Sequence, residues 1–350
     1  DRRQRQMCIR DSIMINLIKW KNMKNYIVYF ILLLTLVLTG ACNNEWVEEV
    51  YVQNVGLKAP VNSKGVTDVY LRYQANGEVT YRLPVIVGGS TMNERDLDVA
   101  IDVDPDTLIG LNEARWKQRE DLYFQLLDKK HYEFASPTCH IPAGECQGLF
   151  DIKFKFSGLD LVDKWVLPLT ILDSDSYDPN PRKNYRKALL RVMPFNDYSG
   201  AYGATNMFVY MMDNTSAMVS STRTLHVVSE NQCFFYAGVI SEELKDRDKY
   251  KIVLTFNENG TLTAEPADPT NAMNFRLIGD APTYTTSMSL DEVTPYLEHH
   301  FTTIYMSYTY DDVTTYEDKD IVVPCRAEGS MLMERKVNSL IPDTDQAIQW

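Results

Sequence analysis

Three aspartates lie close together in the segment DSDSYDPN, at Asp173, Asp175 and Asp178. Carboxylates two residues apart can begin a calcium-binding loop, because calcium prefers several oxygen ligands. The rest of an EF-hand loop is missing, since Asp178 stands at the position of the turn glycine and Asn184 at that of the bidentate glutamate. The segment therefore predicts a polar loop between strands, and a loosely built calcium site is the alternative.

The chain carries none of the short motifs of common hydrolase and nucleotide-binding sites. G-x-S-x-G, H-E-x-x-H and G-x-x-x-x-G-K are all missing. The segment DVAIDVDPD is similar to the aspartate-rich strand of chitinase-like glycosidases, but it lacks the glutamate that serves as general acid. The neighbours His299 and His300 would point to opposite faces of a strand, which disfavours a shared metal ion. We therefore predict a protein that is not an enzyme and binds no cofactor.

Cysteine is sparse in the chain that follows residue 42. Cys139 and Cys146 in CHIPAGEC would lie near each other on adjacent strands, and an oxidising compartment would allow them to form a disulfide. Four buried free thiols, which include Cys233 and Cys325, are the alternative. No C-x-x-C motif is present, so neither a zinc ribbon nor a thioredoxin-type redox site is predicted.

Aromatic side chains are the residues whose chemistry fits a sugar. A pyranose ring stacks its apolar face on an exposed aromatic ring, and nearby polar groups bind its hydroxyls. The candidates for glycan contact are Trp116, Tyr177, Tyr305, Tyr308, Tyr310 and Tyr316. Most tyrosines of a β-protein pack in the core or across strands, and that role is the alternative for each of them.

The segments around these residues have the periodicity of β-strands. Residues 97–103 alternate, with Leu97, Val99 and Ile101 on one face and polar or small residues on the other. A period of two predicts a strand with one buried and one solvated face. GLFDIKFKF repeats the pattern, and WVLPLTIL is nearly all apolar, as in a central strand. One helix is predicted, at roughly residues 108–119.

Two all-β domains are predicted. Short strands separated by turns rich in Pro, Gly and Asp favour an Ig-like β-sandwich over residues 53–193. The pattern restarts at MPFNDYSGAY, and amphipathic strands rich in aromatic residues follow over residues 194–350. These strands fit either a lipocalin-like antiparallel barrel or a second sandwich, and we favour the barrel-like form. Within them, Asn259-Gly260 predicts a hairpin turn.

An apolar run precedes the cysteine at position 42. Residues 26–38 carry no charge but are too short to span a bilayer, which needs about 20 apolar residues, so residues 23–41 are predicted to be a signal peptide. LTGAC resembles a lipobox, in which the thiol of Cys42 receives a diacylglycerol. An ordinary signal peptide or a buried anchor helix is the alternative. Residues 42–52 would form an acidic tether, which resembles the surface-export signals of Bacteroidota-type outer-membrane lipoproteins.

The first 22 residues have a separate interpretation. RQRQMCIRDS resembles the translation of a transposase end sequence used in sequencing libraries, and the chain opens with Asp1 instead of methionine. We interpret residues 1–22 as an assembly artefact or a misassigned start, and we exclude residues 1–41 from the predicted fold.

The charge of the chain disfavours nucleic acid as a partner. Residues 1–41 hold 7 of the 35 Lys and Arg residues and 2 of the 48 Asp and Glu residues, which leaves 28 basic and 46 acidic residues and a net charge of −18 for the remainder. Affinity for phosphate backbones comes largely from basic side chains, so such a surface repels them. A neutral sugar polymer or a cationic partner remains compatible with this charge.

Several segments resemble one family. YRLPV, HYEFASPTCHIPAGE and KWVLPLTI are similar to the Ig-like N-terminal domain of surface lipoproteins encoded in glycan-utilisation loci of the starch-utilisation-system type. FNDYSGAY, RTLHVVSENQCFFYAG and ERKVNSLIPDTDQAIQW resemble the β-rich C-terminal domain that accompanies it. The matches are spread over nearly the whole chain after Cys42, and they are structural motifs that specify no chemistry.

The resemblance implies a function and a location. It implies a lipid-anchored outer-membrane protein, facing the cell exterior, that binds a polysaccharide or oligosaccharide as a non-catalytic accessory of an uptake system. A structural or adhesion lipoprotein that contacts a protein partner, such as an outer-membrane transporter complex, is the alternative. The tripeptide DTL at residues 106–108 also matches the short O-glycosylation pattern of Bacteroidota-type exported proteins, which would make Thr107 an acceptor.

Overall fold

The structure is a computed structural model that describes residues 51–211, 214–316 and 319–350. Side chains are described throughout these ranges except at residues 314–316 and 320. Cys42, the predicted signal peptide and most of the predicted tether lie outside the described residues. Within the described ranges, no helix has both the length and the apolar composition needed to cross a bilayer.

The described chain is all-β, which confirms the predicted fold class, and its first part is a two-sheet sandwich. One sheet has the order β1-β3-β8-β6, and the other has the order β2-β10-β9-β4-β7 with β5 beside β9. All pairs in the sandwich are antiparallel except β2–β10 and β5–β9, which are parallel. The strands of this part are β1 (Asn54–Leu57), β2 (Thr67–Arg72), β3 (Glu78–Gly88), β4 (Leu97–Val103), β5 (Gln125–Leu126), β6 (Tyr132–Phe134), β7 (Thr138–Ile141), β8 (Gln147–Lys155), β9 (Trp165–Ile171) and β10 (Lys187–Phe195).

The alternation in the sequence explains how the sandwich buries its core. Leu97, Val99 and Ile101 of β4 are all buried, whereas Asp98 and Asp102 between them are exposed. The inward residues of both sheets form one apolar cluster. The predicted helix is present as α1 (Pro105–Trp116), which begins with proline in its first turn, where a missing N–H does no harm. A second, short α-helix, α2 (Lys183–Arg186), precedes β10.

The second part is an antiparallel, nearly closed barrel. Its strand order is β16-β15-β14-β13-β11-β20-β19, with β17 and β18 paired to β19, β12 to β11 and β21 to β20. The strands of this part are β11 (Gly200–Met211), β12 (Ala217–Val219), β13 (Thr222–Val227), β14 (Gln232–Tyr236), β15 (Lys251–Phe256), β16 (Leu262–Pro266), β17 (Arg276–Leu277), β18 (Thr283–Leu290), β19 (Leu297–Tyr316), β20 (Lys319–Asn338) and β21 (Ile348–Gln349).

The barrel closes at a seam between the start of β16 and the start of β18. Thr261 and Thr283 form a bridge there, and the N–H of Tyr284 donates to the carbonyl of Gly260 at 3.0 Å. The predicted turn at Asn259-Gly260 joins β15 to β16, and Gly260 has a φ of +80°, which glycine adopts without strain. The interior is rich in tyrosine, with Tyr202, Tyr236 and Tyr250 almost fully buried.

The sandwich and the barrel are joined by a short connection. β10 ends at Phe195, two residues beyond the predicted boundary, and β11 starts at Gly200. The amide of Asn196 in the connection donates to the carbonyls of Ser229 and Gln232 at 2.7 and 3.1 Å, so the connection is held against the barrel. Ion pairs also cross between the domains, from Arg247 to Asp163 at 2.8 Å and from Lys251 to Asp160 at 3.1 Å.

Candidate functional site

Two of the predicted glycan contacts lie inside the barrel. Tyr308 and Tyr310 on β19 are 0% and 1% exposed, so the prediction that they contact a glycan at the surface is wrong. They share the face of Ile304 and Met306, which points to the barrel core. The Tyr308 hydroxyl accepts a hydrogen bond from the N–H of Gly238 at 2.8 Å, and burial raises the pKa of Tyr308 to about 12.

Tyr177 is also a structural residue. It is buried against the sandwich core, and its hydroxyl donates to the carbonyl of Leu172 at 3.1 Å and accepts from the N–H of Ala100 at 3.0 Å. Because the side chain is buried and its hydroxyl both donates and accepts a hydrogen bond within the protein, the predicted glycan contact at Tyr177 is wrong. The tyrosine instead closes the loop that leads from β9 to α2.

The three remaining predicted contacts are dispersed. Trp116 ends α1 and packs edge-on against Phe124 with ring centroids 4.9 Å apart. Tyr305 is 46% exposed on the outer wall of the barrel. The side chain of Tyr316 lies outside the described residues. Trp116 and Tyr305 thus belong to different domains, and the structure does not bring the predicted aromatics into one site.

The predicted calcium alternative finds no support in the geometry. In the part of the chain that the structure describes, no group of three or more His, Cys, Asp or Glu side chains could hold a metal ion. Asp173 instead pairs with Arg186 at 2.9 Å. Asp178 offers its backbone carbonyl to the N–H of Val55 at 2.8 Å, so this residue ties the loop to β1.

Thr107 is not an accessible acceptor. It lies in the first turn of α1 and is 7% exposed. Its hydroxyl donates to the carboxylate of Asp104 at 2.6 Å and accepts from the ammonium of Lys187 at 2.9 Å. The predicted O-glycosylation at Thr107 is therefore contradicted, because the hydroxyl is buried within a structural network.

The thiols of Cys139 and Cys146 are both free, so the predicted disulfide between them is not formed. Cys139 is buried in β7, whereas the Cys146 sulfur lies 4.0 Å from the sulfur of Met92. Burial raises the pKa of Cys139 to about 11 and that of Cys233 to about 12, so both thiols are protonated at neutral pH. The free-thiol alternative describes Cys139, Cys233 and Cys325, while Cys146 is partly exposed.

A cavity of about 620 Å³ lies at one end of the barrel, and we call it the mouth. Three strands continue past the seam there. Residues 285–290 of β18 pair with residues 298–303 of β19, and these pair with residues 332–337 of β20. We call this three-stranded extension the wing. The opposite side of the mouth comes from the end of β2, the domain connection and the C-terminal segment.

The inner face of the wing presents three rows of side chains. Cross-strand register places Met288, His300 and Arg335 in the middle row. The row nearer the barrel holds Thr286, Thr302 and Met333, and the outermost row holds Leu290, Glu298 and Val337. The mouth thus combines apolar and polar groups, which is the composition of many small-molecule sites.

Two side chains of the mouth, His300 and Arg72, lie against carboxylates of the protein. The ring of His300 lies 2.8 Å from the carboxylate of Glu298. Arg72 reaches in from β2 and pairs with Asp197 at 2.7 Å and with Asp345 at 2.6 Å. Burial alone would lower the pKa of Arg72, but the two carboxylates outweigh it and raise that pKa.

Arg335 connects the mouth to the domain junction. Its guanidinium donates to the carbonyls of Asn196 and Ser199 at 3.1 and 2.7 Å, and burial lowers its pKa. On its other side it lies over the rings of Phe195 and Trp350, 5.8 and 5.3 Å from their centroids. The mouth is therefore built from both domains, and its central cation is held by the connection between them.

Sequence reasoning missed the mouth, although a signal was present. Glu298, His300 and Thr302 alternate in phase with Ile304 and Met306. A polar stretch in phase with a buried apolar stretch indicates a strand whose interior face leaves the core and becomes a cavity wall. The opposite faces predicted for His299 and His300 are observed, since His299 pairs with Glu334 and Asp291 while His300 pairs with Glu298.

Two family descriptions match the chain. A family described as Domain of unknown function (DUF4973) matches residues 46–176, and a family described as a C-terminal domain matches residues 186–328. No curated protein is significantly similar to the chain.

Several solved structures are similar over most of the chain. A Bacteroides ovatus protein of unknown function is 45% identical with a TM-score of 0.78, and the alignment covers 85% of this chain and 100% of that one. A Bacteroides ovatus multidomain protein including DUF1735 is 44% identical with a TM-score of 0.77, over 85% and 99% of the two chains. A Bacteroides thetaiotaomicron protein described as an auxiliary nutrient binding protein is 32% identical with a TM-score of 0.72, over 84% and 100%.

Proposed function

Since this chain belongs to the same family as these Bacteroides proteins, we propose that it is a non-catalytic accessory protein that binds a glycan in the mouth of its barrel. The proposal includes a lipid anchor at Cys42 and an outer-membrane location facing the cell exterior. Its partners would be an oligosaccharide or polysaccharide and the proteins of an uptake system.

The mouth is the observation that carries the proposal. Its volume of about 620 Å³ falls within the range of roughly 300–1,000 Å³ that is usual for ligand sites, and barrel mouths are a common place for them. Met288 and Val337 supply apolar surface for the C–H face of a sugar, and Glu298 and His300 supply polar groups for its hydroxyls. The nutrient-binding description of the Bacteroides thetaiotaomicron relative supports the same class of function.

The balance of charge in the mouth favours an uncharged glycan. Arg72 faces two carboxylates, and His300 faces one. The third cation, Arg335, already donates to two backbone carbonyls, and a uronic acid or sulfated sugar would also meet the acidic surface of a chain with a formal net charge of −13. A neutral sugar is not repelled by this acidic surface.

A glycan array followed by calorimetry tests the proposal. We expect a neutral plant, host or microbial glycan to bind, and we expect His300→Ala to weaken it at least tenfold, about 1.4 kcal/mol. His140→Ala is a matched control, because His140 is likewise exposed and pairs with Asp98 at 2.9 Å, but in the sandwich. Its affinity should stay within about twofold of the wild type.

Two results would contradict this function. Loss of binding in Tyr305→Ala, with His300→Ala unaffected, would move the site to the outer wall of the barrel. A lack of binding to any plant, host or microbial polysaccharide would favour the alternative of a structural or adhesion protein. That alternative has its own support in the apolar side chains at the rim of the wing, where Val293 and Leu340 are 88% and 70% exposed.

A further inference from the structure

β18 is an edge strand beyond the seam of the barrel. All eight of its residues, Thr283 to Leu290, pair with β19 on one side. On the other side only its first residues meet β16, through the bridge between Thr261 and Thr283 and the hydrogen bond from Tyr284 to Gly260. From Thr285 onward the second side has no neighbouring strand among the described residues.

The backbone groups on this free side can be identified by their alternation. In a strand, successive N–H and C=O groups point to opposite edges. Because the N–H of Tyr284 points away from β19, the backbone groups of Thr286, Met288 and Leu290 also point away from it. No hydrogen bond within the described chain reaches these groups, so three donors and three acceptors form an open ladder.

This edge lacks the usual protection against pairing. Natural edge strands are blunted by charged side chains, proline or bulges, since an exposed regular edge is a template for another strand. Residues 285–290 read TTSMSL, with no charge and no proline, and all six are exposed. Met288 and Leu290 are each 55% exposed on the face that continues into the mouth.

The charges around the edge indicate what kind of strand fits it. Asp280 precedes β18, and Asp291 and Glu292 follow it, while no basic residue lies within this stretch. A second copy of the chain would bring the same acidic borders and the same excess of negative charge. A segment with basic residues at its ends and apolar residues at alternate positions would complement the borders and cover Met288 and Leu290.

We propose that the free edge of β18 docks an extended, basic segment of a partner protein, which joins the wing as an added strand. The main-chain ladder supplies the affinity, and the acidic borders with the apolar pair Met288 and Leu290 select the sequence. This inference does not depend on glycan binding in the mouth, because the ladder consists of main-chain groups that point outward from the edge of the wing.

A displayed library of random ten-residue peptides, selected on the purified protein, tests this docking edge. Met288→Pro is the decisive variant. It removes the outward N–H and places the proline ring in the path of an added strand, while the pairing with β19 is kept, because proline is tolerated at edge positions whose N–H faces solvent. We expect enriched peptides with net positive charge and alternating apolar residues, and at least tenfold weaker binding to Met288→Pro.

Control measurements distinguish the contribution of the main-chain edge from that of the Met288 side chain. Met288→Ala keeps the amide, so the same peptides should bind it within about threefold of the wild type, and circular dichroism should show all three proteins folded alike. Bound peptide should slow hydrogen exchange at Thr286, Met288 and Leu290, whose amides are otherwise open. Peptides that bind Met288→Pro as well as the wild type would overturn the proposal, and so would a wild-type dimer that Met288→Pro converts to a monomer.

Discussion

The indole ring of Trp350 lies parallel to the phenol ring of Tyr70, with centroids 4.1 Å apart and an angle of 1° between the planes. Tyr70 belongs to β2 of the sandwich, whereas Trp350 follows the last strand of the barrel. The same indole meets Phe195 edge-on at 4.8 Å. One residue of the barrel domain therefore packs on two strands of the sandwich, and it does so beside the guanidinium of Arg335.

We expect Trp350→Ala to uncouple the two domains. The substitution removes two ring contacts, worth about 0.5–1.5 kcal/mol each beyond their buried area, and a cation–π contact. In scanning calorimetry we expect one transition for the wild type and a broadened or split transition for Trp350→Ala. Tyr185→Ala, which removes a similarly exposed ring within the sandwich, should leave the shape of the transition unchanged. An unaltered transition in Trp350→Ala would show that the other contacts between the domains, such as the pairs Arg247–Asp163 and Lys251–Asp160, couple them without the indole.

Two buried tyrosines of β19 should respond differently to loss of their hydroxyls. Tyr308→Phe leaves the N–H of Gly238 without its acceptor, so we expect the free energy of unfolding to fall by about 1–3 kcal/mol. The Tyr310 hydroxyl is buried beside the Cys325 thiol, which is only a weak hydrogen-bonding group, so Tyr310→Phe should cost less than about 0.5 kcal/mol or stabilise the protein. Denaturant unfolding measures both changes, and equal losses would contradict the difference in bonding.

The ion pair at the start of α1 should make stability depend on pH. Burial would raise the pKa of Asp104, but hydrogen bonds and attraction from Lys187 and Thr107 outweigh it and lower that pKa below its ordinary value of 3.8. A lowered pKa in the folded state means that the carboxylate stabilises the fold above the unfolded pKa. This contribution is lost as the pH falls from about 4 through the folded value.

Asp104→Asn isolates this contribution. At pH 7 we expect the variant to be about 1–3 kcal/mol less stable than the wild type, since a hydrogen bond to a charged group is lost. The difference should shrink below pH 4, where the wild-type carboxylate becomes protonated. Asp173→Asn is the control, because its pair with Arg186 is solvent-exposed and should contribute less than about 0.5 kcal/mol. A difference that is constant from pH 7 to pH 3 would contradict the electrostatic origin.

The four described cysteines should differ in reactivity. Cys139 and Cys233 are buried with raised pKa values, and Cys325 is also buried, so alkylation of the native protein at pH 8 should label Cys146 first. Peptide mapping by mass spectrometry after iodoacetamide treatment measures the order. Labelling of all four in denaturant is the control. A peptide pair linked through Cys139 and Cys146 would restore the predicted disulfide.

The periodicity of the sequence predicted the strands correctly, but the type of a residue did not predict its role. The alternation of Leu97, Val99 and Ile101 defined β4, because a half-buried strand needs no information beyond its own sequence. The same rule placed Tyr308 and Tyr310 on one face with Ile304 and Met306. Their residue type predicts contact with a glycan, whereas the apolar face that they share indicates the core.

Other features depend on contacts that are distant in the sequence. The mouth needs Arg72 from the sandwich next to Arg335 from the barrel, more than half the chain away. The parallel pair β2–β10 likewise joins strands separated by nearly all of the sandwich. Neither arrangement follows from local periodicity, because each is set by how complete sheets pack and by which strand lies at an edge.

The order of strands in the barrel has a consequence for the sequence of events during synthesis. The sandwich has all its strands once β10 has left the ribosome. The barrel cannot close at that stage, because its first strand, β11, pairs on one side with β20, more than 100 residues later. The nascent chain therefore carries a long unpaired strand edge for the time needed to make the rest of the protein, and β-pairings of such large sequence separation form slowly. A chaperone that covers β11 during this interval would protect the chain when it is most prone to aggregate.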